Sequence, residues 1–359
     1  MVDHELLMRR CLDLALLGKG TVSPNPLVGA LLLYEGGILA ENYHRQYGKA
    51  HAEVLVINEV LQNYGDQAPE ILSNSTLYVS LEPCSHHGKT PPCADLIVRY
   101  KIPRVIVAMT DPSEKVNGRG IARMRDAGIE VIVGVLKEEA EWINRRFITQ
   151  IRQNRPYIIL KWAQTGDGFM APADQVKKWI TGAEADQLVH RWRSEEDAIL
   201  VGSGTALADN PKLDVREWKG RNPKRLLIDR SLKVPSSSCI LDERAETIIF
   251  NEEKTEWRDG VKYIALENFG MYLPQQISYQ LYLMDVQSLV VEGGIKVLNT
   301  FLEAGLWDEA QIFTSNTTWG SGRKAPIPQG KVWSKTRIGQ DTLTQVLNTQ
   351  TLAHFLRLQ

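Results

Sequence analysis

His51-Ala52-Glu53, then Pro83-Cys84, then Cys93 constrain this chain more than any other feature. One imidazole and two thiolates suit zinc, and three protein ligands leave a fourth position open for water. Glu53 stands outside that count, which frees it to move protons. His51 and Glu53 are two residues apart and would diverge by about 200° on a regular helix. They are therefore expected at a helix entrance, with Val54 to Leu61 continuing inward. Pro83 ends the strand-like run Ser75 to Leu81. A thiol just past it, opening a helix, would gain from the positive helix end, which favours thiolate.

Taken singly, the cysteines at 11, 84, 93 and 239 read as core thiols and the seven histidines as incidental. Together, in order, and with an acid two residues after the histidine, they read as a site. A purely structural zinc needs a fourth ligand, and His86 and His87 are the rivals for that position.

A chain of 359 residues with 43% hydrophobic content can bury two cores. Basic and acidic residues balance, 42 against 43, which argues against a nucleic-acid partner, since phosphate backbones select an excess of Lys and Arg. No apolar run approaches 18 residues, so no membrane span or membrane partner is expected. The acidic start Met1 to Glu5 shows no signal peptide, and the cysteine pattern suits a reducing compartment. The reading is a cytoplasmic protein. A homo-oligomer is compatible with it, and the oligomeric state is left open.

Both halves alternate helix and strand, the pattern of α/β domains. In the first, helices are expected at Glu5 to Leu17, from Val54, at Cys93 to Tyr100 and at Ala122 to Ala127. Strands are expected at Val28 to Leu33 (broken by Gly36-Gly37), from Thr76, at Arg104 to Met109 and at Glu130 to Val135. Asp111-Pro112-Ser113 falls on a strand-end loop, a usual place for function, though an ordinary turn reads as well. Glu138 to Gln153 is polar and helix-prone, and Arg155-Pro156 halts it. The boundary is placed near 150, giving domains 1–150 and 151–359. The second half offers strands from Tyr157, Ala198, Arg225, Thr247, Ser288 and Glu309, and a helix at Ala183 to Arg193. The turns Gly202-Ser203-Gly204-Thr205 and Gly293-Gly294 suit polar-ligand contact, because glycine admits close backbone approach and helix N-termini attract anions. Neither is a dinucleotide fingerprint, and tight turns remain the plain alternative.

His-x-Glu followed by Pro-Cys resembles the signature of zinc nucleobase deaminases, in which the glutamate moves protons between the attacking water, a ring nitrogen and departing ammonia. The cysteines here are separated by eight residues, Ser85 to Pro92, rather than two. With Pro24-Asn25-Pro26-Leu27-Val28-Gly29 and Leu81 through Cys93, the first half resembles the bifunctional riboflavin-biosynthesis deaminase–reductase family, RibD or RibG. The resemblance spans nearly the whole chain. It implies an N-terminal cytidine-deaminase-like α/β/α domain and a C-terminal dihydrofolate-reductase-like α/β domain. It further implies zinc on His51, Cys84 and Cys93, Glu53 as proton shuttle, and a pyrimidine ribose phosphate held by Asn25, His44, His86 and Lys89.

In the second half the likeness rests on Lys161 to Gly168, Trp179-Ile180-Thr181, Asp197 to Thr205, Asp209 to Leu213 and Glu292-Gly293-Gly294. It implies NADPH contact by Ala163, Trp179, Thr205, Asp209 and Gly294. Substrate contact is implied for Arg193, Leu213, Arg216 and Glu292, with the two arginines as phosphate clamps. Lys161 and Asp209 are candidate catalytic groups near the sugar carbon that takes hydride.

The chain departs from the family in two places. Thr165-Gly166-Asp167-Gly168 stands where Ser-Leu-Asp-Gly is usual, which is expected to loosen a loop beside the nicotinamide. Thr314 to Gly322 lacks a proline-containing turn. An NADH preference, or a weakened or purely structural second half, is the alternative these departures raise. An RNA-editing deaminase and a non-enzymatic zinc module are the remaining ones.

Overall fold

The computed structural model describes residues 2–85, 91–113, 117–173 and 179–355. Two compact units are present, Met1–Gln153 and Asn154–Gln359. No helix among the described residues is long and apolar enough to cross a membrane.

The first unit runs α1 (His4–Leu16), β1 (Gly29–Tyr34), β2 (Gly37–Tyr43), α2 (Ala52–Tyr64), α3 (Ala68–Leu72), β3 (Thr76–Leu81), α4 (Cys93–Arg99), β4 (Arg104–Met109), α5 (Arg119–Asp126), β5 (Glu130–Val133), α6 (Lys137–Ile143) and α7 (Arg145–Gln153). Its sheet has the order β2-β1-β3-β4-β5. β3, β4 and β5 are parallel, while β1 is antiparallel to both neighbours. The near-continuous apolar runs of β3 and β4 are what a sheet covered on both faces requires. Ala30, Leu32, Leu77, Val79, Val105 and Val107 pack against Val56, Ile57 and Val60 of α2 and Ile97 of α4. Gly29 lets α1 lie directly on β1: a Cβ there would come within 2.0 Å of the Cys11 carbonyl oxygen. The break expected at Gly36-Gly37 is instead a hairpin. Tyr34 pairs with Gly37, and the two loop residues Glu35 and Gly36 have φ of 49° and 80°. Positive φ at both central positions matches the right-handed twist of the strands they join.

The second unit runs β6 (Tyr157–Gln164), β7 (Phe169–Pro172), α8 (Ala183–Glu195), β8 (Ala198–Gly202), α9 (Ser203–Asp209), β9 (Lys224–Ile228), β10 (Thr247–Asn251), β11 (Glu256–Arg258), β12 (Val261–Ala265), α10 (Leu273–Leu283), β13 (Ser288–Val291), α11 (Ile295–Glu303), β14 (Glu309–Thr314), β15 (Gly322–Lys324), β16 (Gly330–Ile338), β17 (Asp341–Asn348) and α12 (Thr349–Phe355). Its large sheet has the order β11-β12-β10-β9-β8-β13-β6-β14-β17-β16. The strands from β12 to β14 are parallel, and antiparallel β11, β17 and β16 extend the two edges. β8 leads through α9 to β9 on one side, and β13 leads through α11 to β14 on the other. Adjacent β8 and β13 thus form a topological switch point, where open parallel sheets leave a crevice beyond the strand ends.

Candidate functional site

His51 is the N-cap of α2, so Glu53 falls in the first turn. Cys84 follows the end of β3, and Cys93 is the first residue of α4. The expectation that Cys84 opens a helix is therefore corrected: Cys93 does. Cys84 instead has its sulfur 3.3 Å from the Cys93 backbone N–H, from which it accepts. The donor atoms of His51, Cys84 and Cys93 all lie within 4.8 Å of one another. His51 Nδ1 is 3.7 Å from Cys84 Sγ and 3.4 Å from Cys93 Sγ. Tetrahedral zinc with ordinary bond lengths sets nitrogen and sulfur about 3.6 Å apart. The donor set and its spacing both fit that ion.

Glu53 is buried, and it lines a cavity of about 250 Å³ together with His51, Asn25, His44, Leu81, Asp111 and Phe147. Burial pushes its carboxyl above the ordinary range, against the pull of His51. A carboxyl that holds its proton nearer neutrality is better matched to shuttling one. His44 Nδ1 lies 3.1 Å from the Ala50 carbonyl oxygen and its Nε2 3.0 Å from Asn25 Nδ2. The carbonyl accepts only, so Nδ1 carries the proton and Nε2 accepts from the Asn25 amide. That fixes the amide orientation and turns the Asn25 oxygen to other donors. Burial also keeps His44 below its usual pKa, hence neutral. His86, His87 and Lys89 lie outside the described residues.

The sequence did not single out Asn144, Phe147 or Ile151. Asn144 pairs with the Leu27 backbone in both directions, at 2.8 and 3.0 Å, and so fixes the Asn25-Pro26-Leu27 segment to the start of α7. Phe147 and Ile151 then form an apolar wall of the cavity. Their spacing of four on a helix whose one other apolar residue is Ile148 was the available signal. Glu82 was quoted only as part of a motif. Its buried carboxylate accepts from the backbone N–H groups of Asp111, Gly118, Gly120 and Ile121.

In the second unit, a cavity of about 680 Å³ opens beyond the ends of β8, β9 and β13. Gly202 to Thr205, Ile228, Arg230, Gly294 and Lys296 line it. Gly294 caps α11, whose N-terminal amides and macrodipole favour an anion. Lys296 adds cationic charge, and Arg230 adds a guanidinium already paired with Glu252 at 2.6 Å. The cradle fits an extended anionic ligand such as a nucleotide cofactor. Thr205 and Gly294 line it. Ala163 packs beside Phe313, Trp179 is 78% exposed, and Asp209 is exposed at the end of α9; none of the three is a lining residue.

Glu292 stands immediately before Gly293-Gly294. It accepts from Arg193 NH2 at 2.8 Å and lies 4.0 Å from Lys161 Nζ. Burial alone would raise the Glu292 carboxyl, but Arg193 and then Lys161 outweigh it and hold it at about 2. Burial in turn lowers the Lys161 ammonium, against the pull of Glu292. Asp214 accepts from Arg216 and Arg244, and its backbone oxygen lies 3.4 Å from Arg193 NH1. Leu213 puts its side chain into the core with Ile199, Val201 and Leu227, so only its backbone is free to meet a ligand.

The loop expected to be loose is pinned. Asp167 accepts from the N–H groups of Trp319 and Gly320, at 3.0 and 2.7 Å, and Gly166 donates to the Thr317 carbonyl at 2.8 Å. The residues after Thr314 thus hold this loop through main-chain bonds.

Residues 1–109 match the cytidine and deoxycytidylate deaminase zinc-binding region, and residues 156–352 match the RibD C-terminal domain. The riboflavin biosynthesis protein RibD of Aquifex aeolicus (strain VF5) is 41% identical over 322 residues, 88% of this chain and 87% of the relative. That of Escherichia coli (strain K12) is 36% identical over 337 residues, 89% of each. The crystal structure of a diaminohydroxyphosphoribosylaminopyrimidine deaminase/5-amino-6-(5-phosphoribosylamino)uracil reductase from Thermotoga maritima superposes with a TM-score of 0.87 at 36% identity, covering 96% of this chain and 98% of that one.

Proposed function

This chain belongs to the RibD family, a bifunctional deaminase and reductase of riboflavin biosynthesis, and from that premise we propose how its two sites divide the work. The first unit deaminates 2,5-diamino-6-(5-phosphoribosylamino)pyrimidin-4-one. The second reduces the ribose of the resulting 5-amino-6-(5-phosphoribosylamino)uracil to ribityl with NADPH. The observation that carries the reading is buried Glu53 lining one cavity with His51, whose ring nitrogen is zinc-spaced from the sulfurs of Cys84 and Cys93.

When bound at His51, Cys84 and Cys93, zinc supplies Lewis acidity that brings a water near neutral pKa. Glu53 takes one proton of the attacking water and gives it to the ring nitrogen, then takes the second and gives it to the amino group that leaves as ammonia. The oriented Asn25 oxygen accepts from a pyrimidine N–H, and neutral His44 holds it there. Phe147 and Ile151 exclude water from the apolar side of the ring. The charge balance of 42 basic against 43 acidic residues favours this small substrate over RNA.

In the second unit, Thr205, Gly294, Arg230 and Lys296 suit the cofactor's phosphates. Lys161 is the better placed of the two catalytic candidates, because it adjoins Glu292, two residues before the cradle-lining Gly294, while Asp209 is exposed on α9. Arg193 and Arg216 are the clamps for the substrate phosphate.

The test is to give purified, zinc-loaded protein the diaminopyrimidine with NADPH. Ammonia should appear first, and NADPH should be consumed only as the uracil accumulates. NADPH consumption without prior ammonia release would contradict the order, and ammonia without any NADPH consumption would favour a structural second unit.

A further inference from the structure

Two segments that the zinc chemistry does not use meet at Glu82. The carboxylate is 3% exposed. One oxygen accepts from Asp111 N at 3.1 Å and Gly118 N at 2.9 Å, and the other from Gly120 N at 2.9 Å and Ile121 N at 3.3 Å. Asp111 begins the loop after β4, and Gly118 to Ile121 lead into α5. A single side chain therefore grips that connection at both of its ends. The loop is built to receive it. Gly118 adopts a left-handed φ of 83°, and a Cβ on Gly120 would come within 2.1 Å of the Pro83 carbonyl oxygen.

The Asp111 end of that connection is a wall of the pyrimidine cavity. Asp111 and Ser113 both line it, and Asp111 accepts from Ser113 N at 2.8 Å. Leu81, just before Glu82, lines the same cavity, and Cys84 follows two residues later. Glu82 thus sets the spacing between the strand end that carries a metal ligand and the loop that faces it. Four charge-assisted bonds compensate a buried carboxylate and fix its neighbours in one geometry.

We infer that Glu82 is a positioning residue for substrate binding, holding the Asp111–Ser113 wall of the deaminase cavity against the end of β3. The inference rests on the proposed deaminase reading of that cavity. Glu82→Gln keeps the size but replaces one acceptor oxygen with an amide that faces N–H groups, so about two of the four bonds are lost. Glu53 and the three metal ligands are untouched. The wall moves, and binding weakens more than chemistry does.

Zinc-loaded wild type and Glu82→Gln should be compared for ammonia release, zinc content and hydrogen exchange at residues 111, 118, 120 and 121. KM for the diaminopyrimidine should rise about tenfold or more, with kcat within about threefold. One zinc per chain should remain, and those four amides should exchange faster. Gly120→Ala, which displaces the same junction from the other side, should give the same split. An unchanged KM in Glu82→Gln overturns the inference. So does loss of zinc with kcat and KM collapsing together, since Glu82 would then be holding the metal segment rather than the wall. The wild type separates the two readings: if it releases no ammonia, the proposed substrate is wrong. The exchange rates still judge the grip, and unaltered protection in Glu82→Gln rejects it.

Discussion

Glu292 keeps its charge in a buried place because Arg193 and Lys161 surround it. Its folded-state pKa of about 2 lies below the ordinary 4.5. A depressed carboxyl contributes stability that is present above the unfolded value and lost as pH falls through the folded one. The melting temperature of Glu292→Gln should therefore trail the wild type at pH 6, and the gap should close as pH drops from about 4.5 toward 2. A gap that is constant across that window would show that the charge adds nothing. Cys84→Ala should lose zinc and destabilise the first unit, because a three-ligand set tolerates no loss and metal binding is coupled to folding. Metal content and melting read it directly. His51, Cys84 and Cys93 were legible in the sequence because the chemistry of zinc dictates residue type. Glu82 and Asn144 were not, because their partners are main-chain groups that every residue carries. Leu213 was expected from the family at a ligand, and its side chain is core.

At the scale of elements, close approach decides more than propensity. Gly29 admits α1 onto β1, so Gly29→Ala forces a backbone clash and should cost about 3 kcal/mol or more. Denaturation of the first unit should show it, with NADPH-dependent reduction of the uracil unchanged. An unaltered midpoint would mean that α1 can shift at little cost. The Asp167 bonds to Trp319 and Gly320 make a second case. Asp167→Ala should raise the reductase KM for NADPH several-fold and leave ammonia release intact; equal KM values would separate that loop from the cofactor. Strands with long apolar runs were readable: β4 spans Arg104–Met109 as the sequence suggested. β2 was missed because Gly36-Gly37 looks like a breaker, while the positive φ values at Glu35 and Gly36 that make the hairpin are a property of the backbone. β16 was missed because it is an exposed edge strand with little apolar pattern. The helix expected from Cys93 is present as α4, while Cys84, expected to open a helix as well, sits in the segment after β3.

Across the whole molecule, alternating elements and two unrelated sets of site residues indicated a bifunctional α/β chain, and the RibD relatives bear out that class. The two units carry separate chemistry, so a lesion in one should leave the other working. The most direct test of the account changes a single atom type. Glu53→Gln should keep one zinc per chain and reduce the uracil with NADPH at the wild-type rate, while ammonia release from the diaminopyrimidine falls by about a hundred- to ten-thousandfold. Ammonia release at the wild-type rate with zinc in place would contradict the account.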